Sequence, residues 1–280
     1  IDIPIIDTHL HLWDPSQLSY PWLLDLPQLN GPYLLEISKQ QQSLRLRRWY
    51  SSSVKEFSQF KQETDWVASQ ANIDSRIRGI VSWAPIETGK AVRDDLQLLA
   101  ENPLVCGVRR IIQFEPDAKF CLNPNFVLGV QQLSEFDMNF DLCIKGDEQF
   151  RHTLNLVSQC PEVLFILGHI GKPFIKEKII EPWATYLKEL SGMPDSSLDI
   201  GLVNEANWEN WTPDDLQPYI NHMIESFGFD RIMFGGDWPV CTLATTYQCW
   251  IETLWKAVSG CSTEQVQKLF SANAEKFYRV

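Results

Sequence analysis

The stretch Ile3–Pro15, "IPIIDTHLHLWDP", runs from apolar, β-branched residues into two histidines one residue apart. Histidine is scarce in this chain, five in 280 residues. The apolar run reads as a short buried strand. Side chains alternate along a strand, which predicts Asp7, His9 and His11 on one face and Thr8 and Leu10 on the other. Such spacing either closes two imidazoles on one ion or leaves two ordinary hydrogen-bonding histidines at a strand end. The rest of the chain decides between these.

Seven further runs of the same kind follow: "WYSSSVKEF" (49–57), "IRGIVSWAP" (77–85), "VCGVRRII" (105–112), "NFDLCIK" (139–145), "VLFILGHI" (163–170), "SLDIGLV" (197–203) and "RIMFGGDWP" (231–239). Longer stretches with helical spacing of apolar residues lie between them, for example 60–72, 89–102, 147–160 and 213–228. Thr88, Asn123, Thr212 and Ser262 stand where N-caps belong, and Gly192, Gly228 and Gly260 near helix ends. Strands alternating with helices predict a parallel sheet. Eight units in one chain of this length predict a (β/α)8 TIM barrel, a single domain over residues 1–280. An open doubly wound sheet is the alternative. It favours a Gly-rich phosphate turn after its first strand, which "DTHLHLWDP" is not. The weakly patterned segment from Trp13 to about Arg48 becomes a long loop after strand 1, over the catalytic face.

Composition narrows the function classes. The net charge of −12 argues against nucleic-acid and anionic-membrane partners, which need clustered cations. Arg45, Arg47 and Arg48 form one small basic knot, read as a solvated loop or strand entry. The seven cysteines are odd in number and form no CxxC pair, so they are expected to be buried thiols in a reducing, cytoplasmic compartment. No apolar run has the length of a membrane span and no signal peptide is visible.

Barrel enzymes carry their chemistry at the C-terminal ends of strands. There the sequence offers His169 in "LGHIGKP" and Asp237 in "FGGDWP", both flanked by glycine. His9, His11, His169 and Asp237 make a three-nitrogen, one-oxygen donor set suited to zinc or manganese, with a position open to water. Asp7 is read as a supporting polar partner. His152 and His222 fall in helical stretches and are expected to pack there.

In order along the chain, "DTHLHLWDP" (7–15), "YPWL" (20–23), "ETDWV" (63–67), "GVRRIIQ" (107–113), "LGHIGKP" (167–173), "GLVNEANW" (201–208), "FGFDRIMFGGDWPVC" (227–241) and "SANAEKFY" (271–278) resemble the amidohydrolase superfamily. The resemblance is to its amidohydrolase-related (family 2) branch, and within that to the sugar-lactone hydrolases of the L-fuconolactonase and L-rhamnonolactonase group. It covers nearly the whole chain. It implies that His9 and His11 are the first-strand metal pair, His169 the later histidine, and Asp237 the aspartate that activates water. It places Arg109, Gln113 and Lys172 near the mouth, Tyr20 and Trp22 in the loop, and Lys145 as a substrate contact. It implies a hydrolase opening a small-molecule aldonolactone, with a homodimer as a possible assembly. Two-metal relatives use a fourth-strand lysine that "CGVRRII" lacks, so one divalent ion is expected. A metal-free site would have to rely on Arg109, Lys172 and His169. The chain departs from the pattern at Gly168, where relatives carry an acidic residue, and at Gly236, where they often carry serine; Arg110 and Lys145-Gly146 also differ. Two other readings stay open: a zinc-dependent decarboxylase with Arg109, Arg110 and Lys145 clamping a carboxylate, and a non-catalytic binding barrel.

Overall fold

A computed structural model describes residues 3–35, 46–51 and 59–279, the second of these as backbone only. Its strands are β1 (Ile5–Asp7), β2 (Leu46–Ser51), β3 (Ile77–Ser82), β4 (Val105–Ile111), β5 (Asn139–Cys143), β6 (Phe165–Leu167), β7 (Ser196–Asp199) and β8 (Ile232–Met233). They form one 8-stranded sheet in sequence order, every neighbouring pair parallel. Beyond the last paired residues, β8 and β1 are joined by their own extensions. Thr8 N–H donates to the Phe234 carbonyl (3.0 Å), Asp237 N–H to His9 (2.6 Å) and His11 N–H to Trp238 (2.7 Å). The result is a TIM-like barrel. β2 starts earlier than its apolar run suggests; residues 52–57 of that run lie outside the described residues.

The helices are α1 (Phe60–Ile73), α2 (Val92–Ala100), α3 (Pro124–Gln131), α4 (Asp147–Gln159), α5 (Trp183–Ser191), α6 (Pro213–Phe227), α7 (Tyr247–Ala257), α8 (Thr263–Gln267) and α9 (Asn273–Tyr278). Three expected caps are present. Asn123 accepts from Asn125 N–H, Thr212 donates its N–H and hydroxyl to the Asp215 carboxylate, and Ser262 exchanges bonds with Gln265. Thr88 caps nothing; it lies within a 3-10 turn, Ile86–Ala91, and α2 starts after it. The outward strand residues bury themselves against this helical layer. His152 on α4 and His222 on α6 lie in that layer. The His222 ring packs on Trp183 and its Nε2 lies 2.8 Å from the Ala184 carbonyl.

Inside the barrel, Ile6, Val81, Cys106, Ile166 and Met233 form a separate apolar layer, joined by Ala274 and Tyr278 of α9. The side chains of one layer come from several strands, as barrel closure requires. Because Ile6 points inward, Asp7 points outward to the helices, where the Tyr247 hydroxyl of α7 donates to it (2.6 Å). Asp7 therefore does not share a face with His9 and His11. β1 ends at Asp7, and strict alternation ends with it. Five cysteines are buried, Cys249 is exposed and Cys261 half-buried, all as free thiols. No helix among the described residues is long and apolar enough to cross a membrane.

Candidate metal centre

His9, His11, His169 and Asp237 converge at the C-terminal mouth, all of them buried. Asp237 Oδ1 lies 3.2 Å from His11 Nε2 and 3.8 Å from His9 Nε2. The His9 ring is 5.0 Å from the His11 ring and 4.2 Å from that of His169. His169, Ile170, Lys172 and Asp237 all adopt left-handed backbone, with φ between 49° and 53°. Such conformations cost about 1–3 kcal/mol each and concentrate at functional sites. Here they turn His169 and Asp237 back over the barrel axis just after their strands end.

The hydrogen bonds orient the imidazoles. His9 Nδ1 is 3.0 Å from Asp199 Oδ2 and His169 Nδ1 is 2.9 Å from the Gly201 carbonyl. Both partners are acceptors, so each Nδ1 carries the proton and each Nε2 keeps its lone pair. His9 Nε2 is buried and has no hydrogen-bond partner among the described residues. A buried nitrogen of this kind calls for a ligand. Donor atoms 3.2 and 3.8 Å apart suit neighbours around a four-coordinate zinc, about 3.3 Å apart for bonds of about 2.0 Å. The groups His9–His11–Asp237 and His9–His169–Asp199 each bring three donor atoms within 4.8 Å of one another. The residues therefore fit a divalent cation.

The charge states fit as well. Burial, then Arg109, lowers His9 well below the ordinary histidine value, and burial, then His9, lowers His169 to about 3. Burial pushes the Asp237 carboxyl up, but His169, His11 and His9 outweigh it and hold the group far below the usual carboxylate range. Two neutral imidazoles and an ionised carboxylate are the forms that ligate a metal. A stability consequence follows. With the folded pKa lowered, the unfolded chain binds more protons below about pH 6.5, so stability is present above that pH and is lost as pH falls towards 3. In metal-free protein His169→Asn will flatten this decline, by up to roughly 1.4 kcal/mol for each pH unit. Urea unfolding from pH 7 to pH 4 measures it; parallel curves for the two proteins would refute it.

A cavity of about 170 Å³ opens over these residues. Arg109, Gln113, Lys172 and Trp22 line it beside His11, His169 and Asp237. Arg109 is buried, with Nη2 3.0 Å from Cys143 Sγ; Lys172 Nζ is 3.8 Å from Glu205. Two expected contacts lie elsewhere. Tyr20 is buried with Trp13, Leu23 and Leu29 inside the loop and does not line the cavity. Lys145 lines a neighbouring groove of about 550 Å³, 4.0 Å from Glu205. Arg110 is held by Glu87 and Glu115 outside the metal cavity.

Two residues at the site have no role in the sequence reading. Asn204 donates to Asp237 Oδ2 (2.5 Å) from the wall of the groove; the quoted "GLVNEANW" contains it. Asp199 is buried at the end of β7, its carboxyl raised by burial against the pull of His169 and Arg109. A lone aspartate in "SLDIG" gives no signal of its own. Gly236 also has a physical reason. A Cβ there would lie 2.3 Å from the Tyr247 ring and 2.4 Å from Asp7 Oδ2, which already fill the space. Asp7 in turn accepts from the N–H groups of His9 (2.9 Å) and Gly236 (2.8 Å), tying the two ligand-bearing segments together.

A parallel barrel with buried histidines and an aspartate at its mouth offers donors that could hold a metal ion. A profile of the amidohydrolase family matches residues 6–280, and the chain belongs to that family. It is 29% identical to "Uncharacterized protein y4mH" of Sinorhizobium fredii, over 100% of this chain and 99% of that one. It is 26% identical to the L-fucono-1,5-lactonase of Burkholderia multivorans, over 86% of this chain and 84% of that one. Among solved structures it resembles a Burkholderia multivorans amidohydrolase with bound zinc, at a TM-score of 0.86 and 25% identity over 99% of each chain.

Proposed function

We propose that this protein is a lactonase that opens a sugar lactone by hydrolysis, using one divalent cation, zinc or manganese. His9, His11 and Asp237 would hold the ion, with His169 beside them. The observation that carries this reading is the Asp237 carboxylate 3.2 Å from His11 Nε2, beside the His9 and His169 imidazoles whose Nδ1 atoms face acceptors. The zinc in the Burkholderia structure and the lactonase among the relatives support it.

When bound, the cation supplies Lewis acidity to the ring carbonyl and lowers the pKa of water. The chain's residues do the rest. Asp237 takes the proton of the attacking water as the new C–O bond forms, then returns it to the ring oxygen as the ester C–O bond breaks. The product is a hydroxy acid. Asn204 holds Asp237 Oδ2, which keeps Oδ1 turned to the histidines. Arg109 supplies a fixed positive charge for the developing oxyanion. Lys172 and Gln113 offer polar groups to ring hydroxyls, and the Trp22 indole offers a flat face to the ring. Tyr20 acts indirectly, packing the loop that carries Trp22 over the cavity. With Arg110 bound to two glutamates and Lys145 in the neighbouring groove, only Arg109 of the three cations in the decarboxylase reading lines the cavity. Our reading also includes a cytoplasmic setting, where the thiols stay reduced, and assembly as a homodimer.

The test is a pH-indicator screen of aldonolactones, L-fucono-1,5-lactone among them, on metal-stripped protein with and without added zinc or manganese. Acid release above the spontaneous rate, restored by one ion per chain, is expected. Protein that binds metal but opens no lactone would refute the reaction; protein that binds no metal would refute the site.

A further inference from the structure

We infer that Asp199, on strand β7, is a positioning residue that orients His9 and His169, and that it fills a niche which position 168 on the neighbouring segment could also supply. The inference rests on the metal reading of the site and is independent of the lactone.

Four contacts define what the carboxylate does. Oδ2 meets His9 Nδ1 at 3.0 Å. Oδ1 accepts from the backbone N–H of His169 at 3.0 Å and of Gly201 at 3.2 Å. Gly201 in turn offers its carbonyl to His169 Nδ1 at 2.9 Å. One side chain thus sets the tautomer of one histidine, the backbone position of a second, and the acceptor that orients the second. It lies behind His9, away from the Nε2 that faces His11 and Asp237.

The niche it occupies is built from missing side chains. A Cβ on Gly235 would lie 2.8 Å from Asp199 Oδ1, and one on Gly201 would lie 3.3 Å from it and 2.5 Å from His169 Nδ1. A Cβ on Gly168 would lie 3.1 Å from the Leu142 carbonyl, 3.5 Å from Asp199 Oδ2 and 3.8 Å from His9 Cε1, so a side chain there points towards the same niche. A carboxylate grown from position 168 would enter the same space and bring a second negative charge into it. The niche holds one carboxylate, and two positions on adjacent strands can supply it. With glycine at 168, that space is left to Asp199.

This predicts coupling between two positions. Asp199→Asn keeps the shape but must turn its amide NH2 either to the His9 ring or to the two backbone donors, so one set loses its acceptor. Zinc affinity, measured by competition with a chromogenic chelator, is expected to fall about 10–100-fold, the usual cost of losing such a partner. Asp199→Ala and Gly168→Asp will each weaken zinc binding, and the double variant will bind about tenfold more tightly than Asp199→Ala alone. A second readout needs neither metal nor activity. Ring 15N shifts of metal-free protein will show His9 protonated at Nδ1 in the wild type and shifted towards the Nε2–H tautomer in Asp199→Ala. Wild-type zinc affinity in Asp199→Asn, or an unchanged His9 tautomer in Asp199→Ala, would overturn the assignment. A strictly additive pair would overturn the exchange between positions 168 and 199. Two ions per wild-type chain, one of them lost in Asp199→Asn, would make Asp199 a ligand and overturn the positioning role.

Discussion

Asp237→Asn will lower kcat for lactone opening by about 10²–10⁴-fold, the range assigned to a general acid–base residue. The substitution preserves volume. Its amide still accepts from a neighbour at Oδ1, so the fold and the cavity should survive. What disappears is the site that accepts water's proton and hands it to the departing ring oxygen, together with one anionic donor to the ion, so the comparison is made at saturating zinc. The loss should fall mainly on kcat, because Arg109, Lys172 and Trp22 still line the cavity where a substrate would bind. The pH profile gives a second check. Asp237 is held far below the usual carboxylate range, so it stays ionised throughout mildly acid solution. An acid limb near pH 5–6 would therefore belong to some other event, such as proton competition for the metal ligands. Steady-state kinetics with zinc-saturated protein decide the matter. Full activity in Asp237→Asn would remove this residue from the reaction.

His9→Ala and His11→Ala will abolish stoichiometric zinc retention, weakening affinity by more than about a hundredfold, beyond the usual cost of losing a supporting partner. Each variant should also lose stability when metal-free, because His9→Ala leaves the buried Asp199 carboxylate one partner short and His11→Ala does the same to Asp237. In the wild type, zinc at a hundred times its Kd will stabilise the folded state by about 2.7 kcal/mol. That increment should vanish in both variants. Calorimetry with and without zinc measures it, and a retained increment in either variant would exclude that histidine as a ligand.

Most of the architecture could be read from the chain because its signals are local and repeated. Eight short apolar runs, separated by helical patterns, each carry the same message, and an error of a few residues in one, as at β2, leaves the barrel unchanged. The histidines and Asp237 were legible because each ends such a run. What was hidden depends on geometry across strands. Asp7 was placed with His9 by simple alternation, yet the strand ends between them and the two face opposite ways. Asp199 reaches His9 from the far side of the sheet order, a contact with no trace in either local sequence. Tyr20 and Trp22 are nearly adjacent, but one packs into the loop and the other faces the cavity, a choice made by the fold of a segment without periodicity.

The hydrogen bonds from Asp237 to His9 and from His11 to Trp238 stitch the two ends of the polypeptide at the residues that carry the donor atoms. A ring fastened at its last joint has no half-finished version of this site. A chain still emerging from the ribosome displays His9 and His11 early but cannot bring Asp237 beside them until β8 and the turn after it have been made. On the metal reading, ion capture would be a late event in the life of each molecule, and a chain holding its ion would already have closed its barrel.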